Sequence, residues 1–300
     1  MAPVEPMRVL LATDDSEGAR NAESWIVRAR WAAPPTVDVL CVAGLGLTRF
    51  GWGIQTYRTA VREAIDGLRQ SEVLAAERIA NEVSLRLQRA GFVTRSWARQ
   101  GDAAEEILAS LESNPVDLVA IGPRGRSGLA AAILGSVTHE LVAHASTAVL
   151  VGRSPRTAEG RLPEHALVVV HDTSSAAAAL AWLDGAGWLA GERATLLGLL
   201  GDRAGLEKGP PGRIDELAQL VSADATETLG RLAQPLGASD VSLALILRGG
   251  HPLQATMDAI AELGVDLVVV ARSVAPPGRD SFAEKIARHS SASVLLVASS

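Results

Sequence analysis

The chain is poor in several residue types that carry specialised architecture. Its 300 residues include one cysteine, Cys41, so no disulfide can form within it, which suits a reducing compartment. Cys41 lies inside an apolar strand pattern and reads as a buried, inert thiol. Lysine is almost missing: Lys208 and Lys285 stand alone, and arginine supplies the remaining positive charge. The net charge of -6 is spread without long runs, so the basic stripe that nucleic acid selects is lacking. No uncharged apolar run approaches the roughly 20 residues that cross a bilayer. The opening Met-Ala-Pro-Val-Glu-Pro lacks the basic and apolar regions of a secretory signal. These absences lead us to expect a soluble cytoplasmic protein with neither membrane nor nucleic acid as partner.

What is present is a globular composition, 48% hydrophobic and 21% charged, and a pattern that occurs twice. Val9-Leu-Leu-Ala-Thr-Asp14-Asp15-Ser16 is similar to Val168-Val-Val-His171-Asp172-Thr173-Ser174. Gly101-Asp102 opens a stretch matched from Gly250, and Val116-Asp117-Leu118-Val119 is matched by Val265-Asp266-Leu267-Val268. His144-Ala-Ser-Thr-Ala-Val-Leu-Val151 is matched from His289 to Leu296. The order is the same in both halves, which indicates a duplication. We therefore expect domains at 1–153 and 164–300. The Pro-, Gly- and charge-rich stretch 154–163 reads as an exposed linker.

Each half alternates strands with helices. In the first, apolar runs at 7–13, 37–42, 92–98, 116–121 and 147–152 predict strands. Helical spacing at 17–32, 56–90, 102–113 and after Ser136 predicts the helices between them. Such alternation implies an α/β fold, an open parallel sheet with helices on both faces. Ligands of these sheets sit outside the carboxyl ends of the strands. Trp25, Trp31, Trp182 and Trp188 fall in the first helix region of their halves and read as core or as contact between halves.

One segment at a strand end stands out. Gly122-Pro-Arg-Gly125 is followed by nine residues and then Gly135-Ser136. A glycine turn between a strand and a helix start can present backbone N–H groups to phosphate. Glycines at 122, 125 and 135 would let a ligand approach the backbone closely.

With the Asp14-Asp15-Ser16 strand end, Gly101-Asp102 and Asp117-Leu118-Val119, this Gly-x2-Gly-x9-Gly-Ser pattern resembles the universal stress protein family. The likeness covers the whole first half and, more weakly, the second, as in tandem two-domain members. It implies two open five-stranded sheets of order 3-2-1-4-5, of the adenine nucleotide alpha hydrolase-like type. It also implies bound ATP, or ADP or AMP, with Mg²⁺ offsetting the phosphate charge. Within one chain the two domains would form a pseudo-dimer, and pairing of two chains stays open.

The resemblance assigns roles by position. Asp14 contacts the adenosine part, and Val42 meets adenine through its backbone. Ile121 and Val137 line the nucleotide. Gly122 and Gly125 bring backbone to ribose and phosphates, and Gly135 and Ser136 open the phosphate-facing helix. Read from the residues alone, Arg124 neutralises phosphate or is solvated, Ser136 contacts phosphate or is only an N-cap, and Asp14 binds ligand or forms an Asx turn. Pro123 is a departure, because it offers no N–H.

The second half departs further. Ala271-Arg-Ser-Val274 replaces Gly-x2-Gly, and Asp280-Ser281 takes the place of Gly135-Ser136 after a spacer of five instead of nine. We expect one nucleotide per chain, in the first half, and a regulatory or stress-response role. Slow ATP hydrolysis is the enzymatic alternative, with His139 as the candidate near the phosphates, but no paired carboxylates align for it. An interaction module with a vestigial pocket is the other. A receiver-domain reading fails, since the third strand ends Ala98-Arg99-Gln100 and the first half has no lysine. His171, Asp172 and His251 lie at strand ends that another strand should separate, which argues against a metal site.

Overall fold

A computed structural model of the chain describes residues 5–44, 59–125, 134–157, 159–170, 173–189, 192–200, 227, 242–272 and 281–298. The first half runs β1 (Arg8–Ala12), α1 (Glu17–Arg28), β2 (Thr36–Ala43), α2 (Thr59–Arg89), β3 (Val93–Gln100), α3 (Ala103–Ser113), β4 (Leu118–Ile121), α4 (Ser136–His144) and β5 (Ala148–Val151). The second runs β6 (His165–Val170), α5 (Thr173–Ala186), β7 (Arg193–Leu200), β8 (Ser242–Gly249), α6 (Pro252–Leu263), β9 (Leu267–Arg272), α7 (Phe282–His289) and β10 (Ser293–Ala298). The chain is α/β, as the alternation predicts. Helix α1 stops at Arg28, four residues before its expected end, where the chain turns extended at Ala29.

The strands form one ten-stranded sheet in the order β3-β2-β1-β4-β5-β10-β9-β6-β7-β8. Within each half the order is 3-2-1-4-5 and every pairing is parallel. The halves meet where β5 pairs antiparallel with β10, Val151 opposite Val294 and Val149 opposite Leu296. That single reversal sends the carboxyl ends of the two half-sheets in opposite directions, so their ligand-facing ends lie far apart.

The repeated Val-Asp-Leu has a structural reason. The Asp117 Oδ2 accepts the Arg8 amide at 2.7 Å and so fixes β1 beside β4. Its counterpart Asp266 accepts the Glu164 and His165 amides, each at 3.0 Å, and fixes β6 beside β9. A buried strand start with unpaired N–H groups is costly, and one carboxylate resolves it in each half.

Helices α1, α2 and α5 cover one face of the sheet over Val9, Leu11, Val37, Val39 and Val168. Helices α3, α4, α6 and α7 cover the other over Leu10, Leu40, Val149, Val268 and Leu296. On the first face Trp25 and Trp188 are fully buried, with Trp31 and Trp182 packed at their edges. No described helix is long and apolar enough to cross a membrane.

The stretch read as an exposed linker is exposed at Ser154, Arg156, Glu159, Gly160 and Arg161, and it is also tied to the first half. Arg28, at the last turn of α1, donates to the carbonyls of Thr157 (2.9 Å), Glu159 (2.9 Å) and Gly160 (2.8 Å). Leu162 is buried, and its amide donates to the Arg28 carbonyl. An arginine fork aimed at a loop satisfies several carbonyls at once. Composition shows polarity but not this single cation that gathers it.

Candidate functional site

At the carboxyl ends of β1 and β4 the chain forms a cleft of about 230 Å³. Leu40, Val42, Ala103, Ile107 and Ile121 give it an apolar floor. Asp14, Gly122, Arg124, Gly125, Gly135, Ser136, Val137 and Thr138 form its polar and backbone wall. All nine residues singled out from the sequence, from Asp14 to Val137, therefore gather around one space. They reach it from three places: the β1–α1 turn, the end of β2, and the β4–α4 connection. Arg126 and the spacer to 133 lie outside the described residues.

The β1–α1 turn is held by its own side chains. The Thr13 Oγ1 accepts the Asp15 amide at 3.1 Å, and the Asp14 Oδ1 accepts the Ser16 amide at 3.1 Å. This is an Asx turn, so the local reading of Asp14 holds for one of its oxygens. Asp15 adopts φ 57°, a left-handed conformation that a non-glycine residue takes only when held there. Arg86 of α2 does the holding: its Nη2 lies 2.9 Å from the Asp15 Oδ1, and it also pairs with Glu23 at 2.8 Å. These two carboxylates raise the Arg86 pKa above its ordinary value. The result turns the second oxygen of Asp14 toward Gly125, where a Cβ would lie 2.5 Å from it.

The glycines of the loop serve a purpose that spacing alone does not reveal. A side chain on Gly122 would not enter the cleft; it would run into the backbone of Gly18, with the Gly18 carbonyl oxygen at 2.6 Å. Gly18 in turn sits 2.6 Å, measured from its own ideal Cβ, from the Arg124 carbonyl oxygen. The first turn of α1 and the β4–α4 loop therefore touch backbone to backbone. Gly122 is needed for that contact before any ligand arrives, and it also lines the cleft. Gly122→Ala is expected to destabilise the fold by about 1–3 kcal/mol through overpacking. Chemical denaturation measures this, and an unchanged midpoint would refute the contact.

Pro123, marked as a departure for lacking an N–H, contributes through its carbonyl. That oxygen accepts the Gly135 amide at 2.8 Å and ties the start of α4 to the loop. The Thr138 Oγ1 adds a buried 2.8 Å bond to the Gly122 carbonyl. Thr138, Thr13, Ala103 and Ile107 were not recognisable as site residues from the sequence. A threonine on a helix or an isoleucine on an apolar face carries no mark of the cleft it borders.

Gly135 is the N-cap of α4, and no side chain caps that helix. Ser136 is its first helical residue, so the N-cap alternative for Ser136 does not hold. Its hydroxyl makes no hydrogen bond among the described residues, and the early N–H groups of α4 stay open beside the cleft. An open helix N-terminus with a hydroxyl over an apolar floor can hold an anion joined to a flat apolar group.

Relatives give the chain its family. The model described as the universal stress protein family matches residues 6–153 and again residues 164–298. The chain belongs to this family. No curated protein matches it significantly. A universal stress protein from Archaeoglobus fulgidus DSM 4304 is similar in structure, with a TM-score of 0.68 at 19% identity over 98% of both chains. A putative universal stress protein from Pseudomonas aeruginosa UCBPP-PA14 is similar at TM-score 0.57 and 14% identity, over 98% of this chain and 93% of that one. Likeness at these identities shows the fold.

The second half of this universal stress protein handles the matching helix differently. Ser281, the counterpart of Ser136, is the N-cap of α7 and part of a capping box. The Glu284 amide donates to the Ser281 Oγ at 3.1 Å, and the Glu284 Oε2 accepts the Ser281 amide at 2.7 Å. A carboxylate thus occupies the helix start in the second half. Residues 171–172 and 273–280, where the notable Asp172, Val274 and Asp280 fall, lie outside the described residues. β7 lies between β6 and β8.

Proposed function

We propose that this universal stress protein binds one adenine nucleotide per chain, in the cleft of its first half, and acts as a regulator of the stress-response type. The observation that carries this reading is the contrast between α4 and α7. Among the described residues the N-terminus of α4 has no side-chain cap and the Ser136 hydroxyl has no partner, while that of α7 is closed by the Ser281–Glu284 box. Adenine fits the apolar floor of Leu40, Val42, Ile107 and Ile121, and its ring edge can meet the backbone of β2. Asp14 accepts from ribose hydroxyls. Gly135, Ser136 and Val137 meet the phosphates with backbone and hydroxyl donors, and Arg124 supplies charge. Mg²⁺ would accompany a triphosphate through the phosphate oxygens themselves.

Domains at 1–153 and 164–300 then divide the work. The first binds, and the second completes a pseudo-dimer through β5 and β10. A regulatory role is favoured over hydrolysis because His139, the one candidate to activate water, is not among the residues that line the cleft. Mass spectrometry of the purified chain, followed by calorimetry with ATP, ADP and AMP with and without Mg²⁺, tests the reading. One site per chain is expected. No binding at millimolar nucleotide overturns it, and a stoichiometry of two overturns the closed second half.

A further inference from the structure

Arg86 does not line the cleft, yet it grips the turn that does. Its guanidinium forks onto Glu23 of α1, with Nε donating to Oε1 at 2.9 Å and Nη2 to Oε2 at 2.8 Å. The same Nη2 donates to the Asp15 Oδ1 at 2.9 Å. A two-point fork has one orientation, so α1 sets where α2 offers that N–H to the turn.

The grip falls on the residue that needs it. Asp15 is the one non-glycine residue with a positive φ among the described residues. Its φ sets how Asp14 stands relative to α1. Asp14 spends Oδ1 on the Ser16 amide and lays Oδ2 over Gly125 at the cleft. Were Asp15 to relax to an ordinary φ, the bond to Ser16 and the aim of the Asp14 carboxylate would be lost together. The second half shows that the fold itself does not require this clamp. In the duplicated sequence Thr173 takes the position of Asp15, and it is already the first residue of α5. That helix carries no carboxylate before Asp184 for an arginine to grip. Among the described residues, a left-handed turn clamped by a side chain 71 positions away is found only in the half that holds the cleft.

We propose that Arg86 is a positioning residue for ribose recognition. Through Asp15 it aims the Asp14 carboxylate at the ribose hydroxyls, which makes the cleft selective for ribonucleotides over nucleotides that lack those hydroxyls. This rests on the nucleotide reading above. A carboxylate already in place accepts hydroxyl hydrogen bonds without first ordering the turn, and bonds to a charged acceptor are among the stronger ones.

Calorimetry on the full chain with ATP and 2′,3′-dideoxy-ATP tests this, each variant read beside a thermal melt. The wild type is expected to bind ATP about 10-fold tighter or more. Arg86→Gln should cut that preference to under about 3-fold by weakening ATP alone. Asp15→Gly, whose glycine takes a positive φ freely, should keep the preference, and adding it to Arg86→Gln should restore it. Arg95→Gln breaks another arginine fork, onto the buried Asp38 at 2.8 Å through two bonds, with neither residue lining the cleft. It should lower the melt and leave the preference unchanged. Equal affinity of the wild type for both nucleotides overturns the proposal even if Arg86→Gln fails to fold. So does a preference that survives Arg86→Gln, one that Asp15→Gly fails to restore, or the same loss in Arg95→Gln. A wild type that binds neither nucleotide refutes the nucleotide reading itself and is told apart from these results.

Discussion

Trp188→Ala is expected to lower the stability of the chain by about 3–5 kcal/mol, the cost of removing a buried large aromatic side chain. Trp188 is fully buried, and its ring centroid lies 6.0 Å from Trp25, 5.3 Å from Trp31 and 5.1 Å from Trp182. The contacts to Trp31 and Trp182 are edge-on, a favoured aromatic geometry that adds to the burial itself. Two of these partners belong to the first half and one to the second, so the cavity would open at the junction between halves. The Ala32 amide, which donates to the Ala186 carbonyl at 2.9 Å, lies beside it. Thermal unfolding should show a fall in Tm on the order of 10 °C. Leu74→Ala, on an exposed part of α2, should change it little. A loss under about 1 kcal/mol for Trp188→Ala would mean that the junction repacks around the gap.

Ser136→Asp is expected to lower nucleotide affinity on the order of 100-fold or more while leaving the fold intact. A carboxylate at the first position of α4 favours the helix by about 0.3–1 kcal/mol, because it meets the positive end of the helix dipole. The same carboxylate would face phosphate at close range, where like charges in a partly shielded site oppose each other by several kcal/mol. Binding and stability should thus move in opposite directions, which separates this variant from one that merely unfolds. The second half already contains the corresponding arrangement, since Glu284 closes α7. Ser136→Ala removes only a hydroxyl and should weaken binding about 10-fold, the worth of one hydrogen bond to a charged group. Calorimetry read beside a thermal melt checks both. Wild-type affinity in Ser136→Asp would remove α4 from the phosphate site.

The candidate site was legible where chemistry concentrates in one segment. Asp14, the loop from Gly122 to Gly125, and Gly135 with Ser136 all announce themselves by residue type next to a strand end. What those residues do was less legible. Glycine spacing does not reveal room for Gly18, and only the packing of α1 on the loop shows that Gly122 provides it. Ser136 read as a possible N-cap because serine favours that position, but Gly135 takes it, one residue earlier. The polar stretch 154–163 reads as an exposed linker, and polarity alone does not reveal that Arg28 binds it down.

By itself the sequence determined the duplication, the alternation of strands and helices, and the unequal glycine content of the two halves. These follow from local rules, because a buried strand, an amphipathic helix and a glycine turn each write their needs into neighbouring residues. Tertiary structure decided how the halves join through β5 and β10 and which residues complete the cleft from α3. Those outcomes depend on atoms far apart in the chain whose contact leaves no local trace. The glycine pattern marks one wall of the cleft, while the uncapped start of α4, among the described residues, and the closed start of α7 are features of the folded chain alone.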